Sequence, residues 1–230
     1  MTSNQQQTDD LLSSVQKHVG ASRSKYVDSI SHETELLQNW LDYLGSFSQP
    51  ETARLLKATH STIIECAGCL SLGLVRPAIF AIRGQLELLL AWAYFNDHIV
   101  EFRFYEQHLG EFPTRSVFIK FFKNYSKKFD VRYQLLANKR IRADEDPYGL
   151  LSTHVHSASE HAAPKFGPLS SLVQASSDCN DCVKLQRDVA EYLTDVLAAW
   201  YCEKWQAFPL NIRKSLQSRL SAADLKKFCS

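Results

Sequence analysis

The sequence predicts an all-α fold, an antiparallel helical bundle of four to five core helices with short peripheral helices. Three observations point there. Apolar residues recur at helical spacing over several segments long enough to be helices. With 8 Gly and 7 Pro in 230 residues, the chain lacks the turn chemistry of a sandwich or barrel. Several of those glycines and prolines fall where one periodic segment ends and the next begins, as helix stops and starts do.

In chain order, residues 1–20 read as a polar lead-in carrying one short amphipathic helix on Leu11, Leu12, Val15 and Val19. From Ser22 to Leu44 the apolar positions Tyr26, Ile30, Leu36, Leu37, Trp40 and Leu41 predict a long helix stopped at Gly45. Pro50 suits the first turn of a second long helix running to Gly73, and Pro77 starts a third, the central and most apolar one. A turn as short as that at Gly73 makes these two helices antiparallel neighbours. Ile99 to Leu109 predicts a short helix closed by Gly110, and Thr114 to Arg142 one broken or two consecutive helices. Pro147 opens a short helix through Leu150 and Leu151. Residues 157–182 read as a loop, Val183 to Phe208 as the last long helix broken by Pro209, and a short amphipathic pair follows, its second member capped by Ser221. The expected division is a lead-in over 1–20, a bundle over 21–208 and a helical appendage over 209–230.

Composition narrows the function classes. At 45% hydrophobic and 11% aromatic content the chain is not disordered. Met1 to Asp10 has neither a basic start nor an apolar run, so no signal peptide is expected. The longest apolar run, Leu86 to Phe95, is short for a bilayer, and the expectation is a cytoplasmic protein with no membrane contact. Six cysteines in that compartment read as free thiols or metal ligands. The net charge is only +1, yet residues 120–142 hold Lys120, Lys123, Lys127, Lys128, Arg132, Lys139, Arg140 and Arg142 against Asp130 alone. The charge is segregated.

Four constellations could carry chemistry. On the central helix Arg76, Arg83 and Glu87, spaced by seven and four, share one stripe among apolar neighbours. An unpaired buried charge costs several kcal/mol, so the pair Arg83 and Glu87 is either a structural ion pair or an active-site arginine held by a carboxylate. Next, Tyr148-Gly-Leu-Leu-Ser152-Thr-His154-Val-His156 offers two imidazoles that cannot share a helix face, with His156 as candidate general acid or base. Third, the eight basic residues alternate with Phe121, Phe122, Tyr125, Phe129 and Tyr133. Either this is a nucleic-acid surface that neutralises phosphate and stacks bases, or the aromatics face inward and the lysines face water. Last, Cys66-Ala-Gly-Cys69 and Cys179-Asn-Asp-Cys182 pair cysteines at CxxC spacing, as buried thiols, as zinc ligands, or as thiols made reactive by a helix N-terminus.

The chain resembles the HEPN superfamily of small helical-bundle proteins, common in prokaryotic toxin–antitoxin and phage-defence (antiviral defence) systems. The residues that carry the resemblance are Ala81-Ile-Arg83-Gly-Gln-Leu-Glu87 on a long apolar helix, the following Tyr94-Phe-Asn-Asp97-His98, and Leu151-Ser152 ahead of Val155-His156. It covers residues 30 to 206. The resemblance implies a homodimer and, in active members, ribonuclease activity that cleaves RNA without metal or cofactor, through an Arg and a His four to six residues apart. No arginine stands at that distance before His156, so Arg83 is expected to supply the cation from a neighbouring helix, with Glu87 orienting it and His156 exchanging the proton. The alternative expectation is a non-catalytic subunit of a defence or regulatory complex, with the basic segment docking a partner protein.

Overall fold

A computed structural model describes residues 3–108, 113–156 and 167–230, apart from the side chain of Val155. The stop at Gly110, the predicted loop over 157–166 and His161 lie outside the described residues. Among the described residues the fold is all-α, with no strand: eleven α-helices and two short 3-10 segments. In order these are α1 (Asn4–Ser22), α2 (Lys25–Gly45), α3 (Ala53–Ser71), α4 (Val75–Phe95), α5 (Ile99–His108), α6 (Arg115–Tyr125) and α7 (Phe129–Ala137). Then come α8 (Tyr148–His156), a 3-10 turn at Leu169–Leu172, α9 (Ser176–Tyr201), a 3-10 segment at Cys202–Ala207, α10 (Leu210–Arg219) and α11 (Ala222–Cys229).

Most differences from the sequence expectations are of helix length. The lead-in is a 19-residue helix whose N-cap Ser3 accepts a hydrogen bond from the Gln6 amide. Arg23, at φ 47°, breaks it from α2. The last long helix starts at Ser176, so the CxxC pair Cys179 and Cys182 lies inside it. Thr114–Arg142 resolves into two helices, α6 and α7, parted at Ser126. By length and composition α4 is also apolar enough to cross a membrane, but 67% of its most apolar window is buried within the protein.

The chain forms two compact units, and α2, α3, α4 and α9 contribute residues to both. The first comprises residues 1–34, 61–84 and 146–187. Its core holds Tyr26, Ile30, Leu70, Ile82, Leu151 and Cys179. The turn between α3 and α4 is a Schellman motif: the Leu74 amide donates to the Cys69 carbonyl and the Gly73 amide to the Leu70 carbonyl. Gly73 holds φ +79°, and a Cβ there would stand 2.7 Å from Cγ1 of Val173. The Gly73 carbonyl accepts from Gln174, which ties this turn to the entrance of α9.

The second unit comprises residues 35–60, 85–145 and 188–230. Its core is aromatic, with Trp40, Trp92, Phe95, Phe118, Phe122 and Phe208 nearly inaccessible to solvent. In it two buried charges, Arg142 and Asp195, meet two half-buried ones, Arg219 and Glu191. Arg142 donates to Asp195 at 2.6 Å, Arg219 donates to the same carboxylate at 2.6 Å, and Glu191 lies 3.1 Å from Arg219. Glu191 also accepts from the backbone amides of Ile141 and Arg142, which fixes the chain as it leaves α7.

Candidate functional site

The first unit sets a polar stripe of α4 against α8. Asp146 accepts from the Tyr148 amide at 3.1 Å and the Pro147 carbonyl takes the first helical hydrogen bond, from Leu151, so the sequence Asp-Pro-Tyr determines where α8 begins. That placement brings the Tyr148 hydroxyl within 3.4 Å of Arg83 Nη2 and its ring within 5.5 Å of the guanidinium carbon. Six residues further along α8, His154 feels the charge of Arg76, which stands seven residues back along α4. The axial rises match, ~9 Å on α8 against ~10 Å on α4. The two helices therefore run antiparallel here, and the arginines face Tyr148 and His154.

Side chains of this stripe are partly exposed, so a ligand can reach them. Arg76, Arg83, Tyr148, Ser152 and His154 are all half-buried. Phe80, between the two arginines on the same face, is 42% exposed and lies 5.2 Å from the Arg76 guanidinium. Burial, then the Arg76 charge, pushes the His154 imidazole below the ordinary histidine range. Near neutral pH that ring is uncharged and able to accept a proton. The arrangement thus gathers two cations, a neutral base, a phenol and an accessible aromatic ring.

The predicted site residues divide accordingly. Arg83 lies in this site. Glu87, one turn along α4, belongs to the second unit. His156 is the last residue of α8 and exposed, about 12 Å of helix away from Tyr148. The imidazole that α8 turns toward the arginines is His154. The sequence carried a signal for this choice: Tyr148, Leu151 and His154 differ by three, whereas His156 lies off that face.

Of the eight basic residues predicted to meet nucleic acid, Lys120, Lys123, Lys127, Lys128, Lys139 and Arg140 are exposed. Arg132 and Arg142 leave that set. Arg132 is 2% exposed and donates to the Phe228 carbonyl and to Glu203, and Arg142 is spent on Asp195. Helical periodicity puts Arg132 on the face of α7 that also buries Phe129, Tyr133 and Leu136, whereas Arg142 lies past the end of that helix, and at both places a buried charge is kept only by internal partners. Phe118, Phe122, Phe129 and Tyr133 face the core, while Tyr125 is 75% exposed.

The CxxC cysteines meet across α3 and α9. The Cys66 thiol bonds to that of Cys182, and this contact together with burial pushes Cys66 well above the ordinary thiol range. Burial raises Cys179 as well, so its place near a helix N-terminus does not lower its thiol, and the side chain is inaccessible to solvent. Among the described residues no group of three or more His, Cys, Asp or Glu side chains is arranged to hold a metal ion. Compared with protein-family models, curated proteins and solved structures, the chain finds no match.

Proposed function

We infer that the chain is a HEPN-like domain of a prokaryotic anti-phage defence or toxin module that binds or cleaves RNA without metal, using the face between α4 and α8. The observation that carries this reading is the antiparallel placement of Arg76 and Arg83 against Tyr148 and His154. Cleavage of RNA by attack of a 2′-hydroxyl needs a neutral base for that proton and fixed positive charge for the phosphate oxygens. His154 meets the first need, Arg76 and Arg83 the second. Phe80, 42% exposed, presents a ring on which an unstacked base can rest.

The test is cleavage of single-stranded RNA in the presence of a chelator. Arg83→Ala and His154→Ala abolish cleavage, while His156→Ala leaves it largely intact. Full activity in His154→Ala and Arg83→Ala refutes the assignment. A non-catalytic subunit is favoured by a separate observation. The exposed cations of residues 120–140 are interleaved with exposed Tyr125 and Val131 and flanked by exposed Val117 and Ile141, a mixture that suits a protein partner. On that reading no RNA is cut, and charge reversal at Lys123 and Lys127 releases an acidic partner.

A further inference from the structure

Two pairs of thiols meet in this chain, and they differ in access. In the first unit Cys66 and Cys182 are in contact, with Cys66 fully buried and Cys182 3% exposed. In the second unit Cys202, the first residue of the 3-10 segment after α9, is in hydrogen-bond contact with Cys229, the last residue of α11. Cys202 is 3% exposed, whereas Cys229 is exposed. Beside this pair stands the buried guanidinium of Arg132, which donates from Nε to the Phe228 carbonyl at 3.0 Å. The Cys202 thiol donates to the same carbonyl at 3.1 Å, so its sulfur is held in place next to Cys229. Burial raises both thiols, Cys202 to about 12, and the Arg132 charge draws both back toward the thiolate. Their contact raises Cys202 and lowers Cys229, so Cys229 ionises first.

We propose that Cys202 and Cys229 are a reversible disulfide site, formed by exchange with a small-molecule disulfide, that fastens α11 to the end of α9. An attacking thiol must be reachable and a resolving thiol must lie beside it, and of the two pairs this one offers an exposed member. The Cys229 thiolate attacks one sulfur of the small disulfide. That S–S bond breaks and one small thiolate leaves. The Cys202 sulfur then attacks the Cys229 sulfur of the mixed disulfide and expels the second small thiolate. Two protein thiols are oxidised by two electrons, the reagent is reduced to two thiols, and the two protein thiol protons end on them. The Arg132 charge favours the thiolate on either protein sulfur.

The reduced 230-residue chain is incubated with oxidised glutathione at about pH 8, where thiol exchange is rapid. Free thiols are then alkylated, and the digest is mapped by mass spectrometry. The expected product is a Cys202–Cys229 cross-linked peptide, reversed by dithiothreitol, with Cys66 and Cys182 alkylated only after denaturation. Closing this short loop raises Tm by roughly 5–10 °C. Cys202→Ser stops at glutathione carried on Cys229. Glutathione retained on Cys229 of the wild-type chain with Cys202 still a thiol overturns the proposal, as does preferential oxidation of Cys66 and Cys182. The wild-type map decides the matter even where a variant fails to fold.

Discussion

Gly73 adopts a conformation that costs any residue with a Cβ about 1–2 kcal/mol, and here the added atom would also press on Val173. Gly73→Ala should therefore lower stability by about 2 kcal/mol or more, read as a fall in the urea midpoint with an unchanged slope. His154 is the second residue whose surroundings set its behaviour. Burial and Arg76 lower its affinity for a proton, so protonation falls below the ordinary histidine range. If it is the base, the rate against pH rises to a plateau before neutrality, and Arg76→Gln moves that rise to higher pH by removing a repelling charge. A profile unmoved by Arg76→Gln would separate His154 from the reaction. Which of the two α8 imidazoles faces α4 follows from a spacing of three against five residues counted from Leu151. Legible in principle, that spacing counted for less in the sequence than the likeness of Val155-His156 to a family motif.

α8 is short, and its position depends on one cap. Asp146→Ala removes the acceptor for the Tyr148 amide, costs about 1 kcal/mol, and loosens the first turn that holds Tyr148 against Arg83. Amide hydrogen exchange over 148–152 should quicken while α9 is unchanged. α9, with α10 and the segment after α7, shows the opposite use of charge. Asp195 receives both Arg142 and Arg219, and removing it leaves two guanidinium groups without their shared carboxylate. Asp195→Ala is expected to cost about 3–5 kcal/mol, the range for breaking a buried ion network from one side. Chemical denaturation measures it. A loss under 1 kcal/mol would mean that water replaces the carboxylate. Element boundaries marked by Gly73, Pro147 and Pro209 were readable as signals in the chain. The starts of α1 and α9 were not, because polar first turns such as Asn4-Gln-Gln-Gln and Ser176-Ser-Asp bury too little apolar surface to show a period.

For the molecule as a whole, alkaline pH is the sensitive direction. Tyr94 and Tyr133 are pushed up to about 12, chiefly by burial, from an ordinary value of 10.0, and Cys202 to about 12 from 9.0. Folding keeps these groups protonated where the unfolded chain already loses the proton. Their contribution is thus complete below about pH 9 and is lost as pH climbs through 10 toward 12. The urea midpoint should hold steady from neutrality to about pH 9 and then fall, with Tyr133→Phe falling less steeply. A flat midpoint through pH 11 would contradict the burial of these side chains.

What the sequence determined by itself is the all-α class and the order of the long helices, because periodicity, caps and breakers act within a turn or two of chain. It also located Arg83 and the CxxC cysteines as residues out of keeping with their apolar neighbours. Only the tertiary structure decided which charges are shared inside the core and which stay in water, since Arg132 and Arg142 find their partners at Glu203 and Asp195, about 70 and 50 residues further along the chain. It likewise brought Cys202 to Cys229. Such pairings depend on how one helix packs on another, and no local pattern records that.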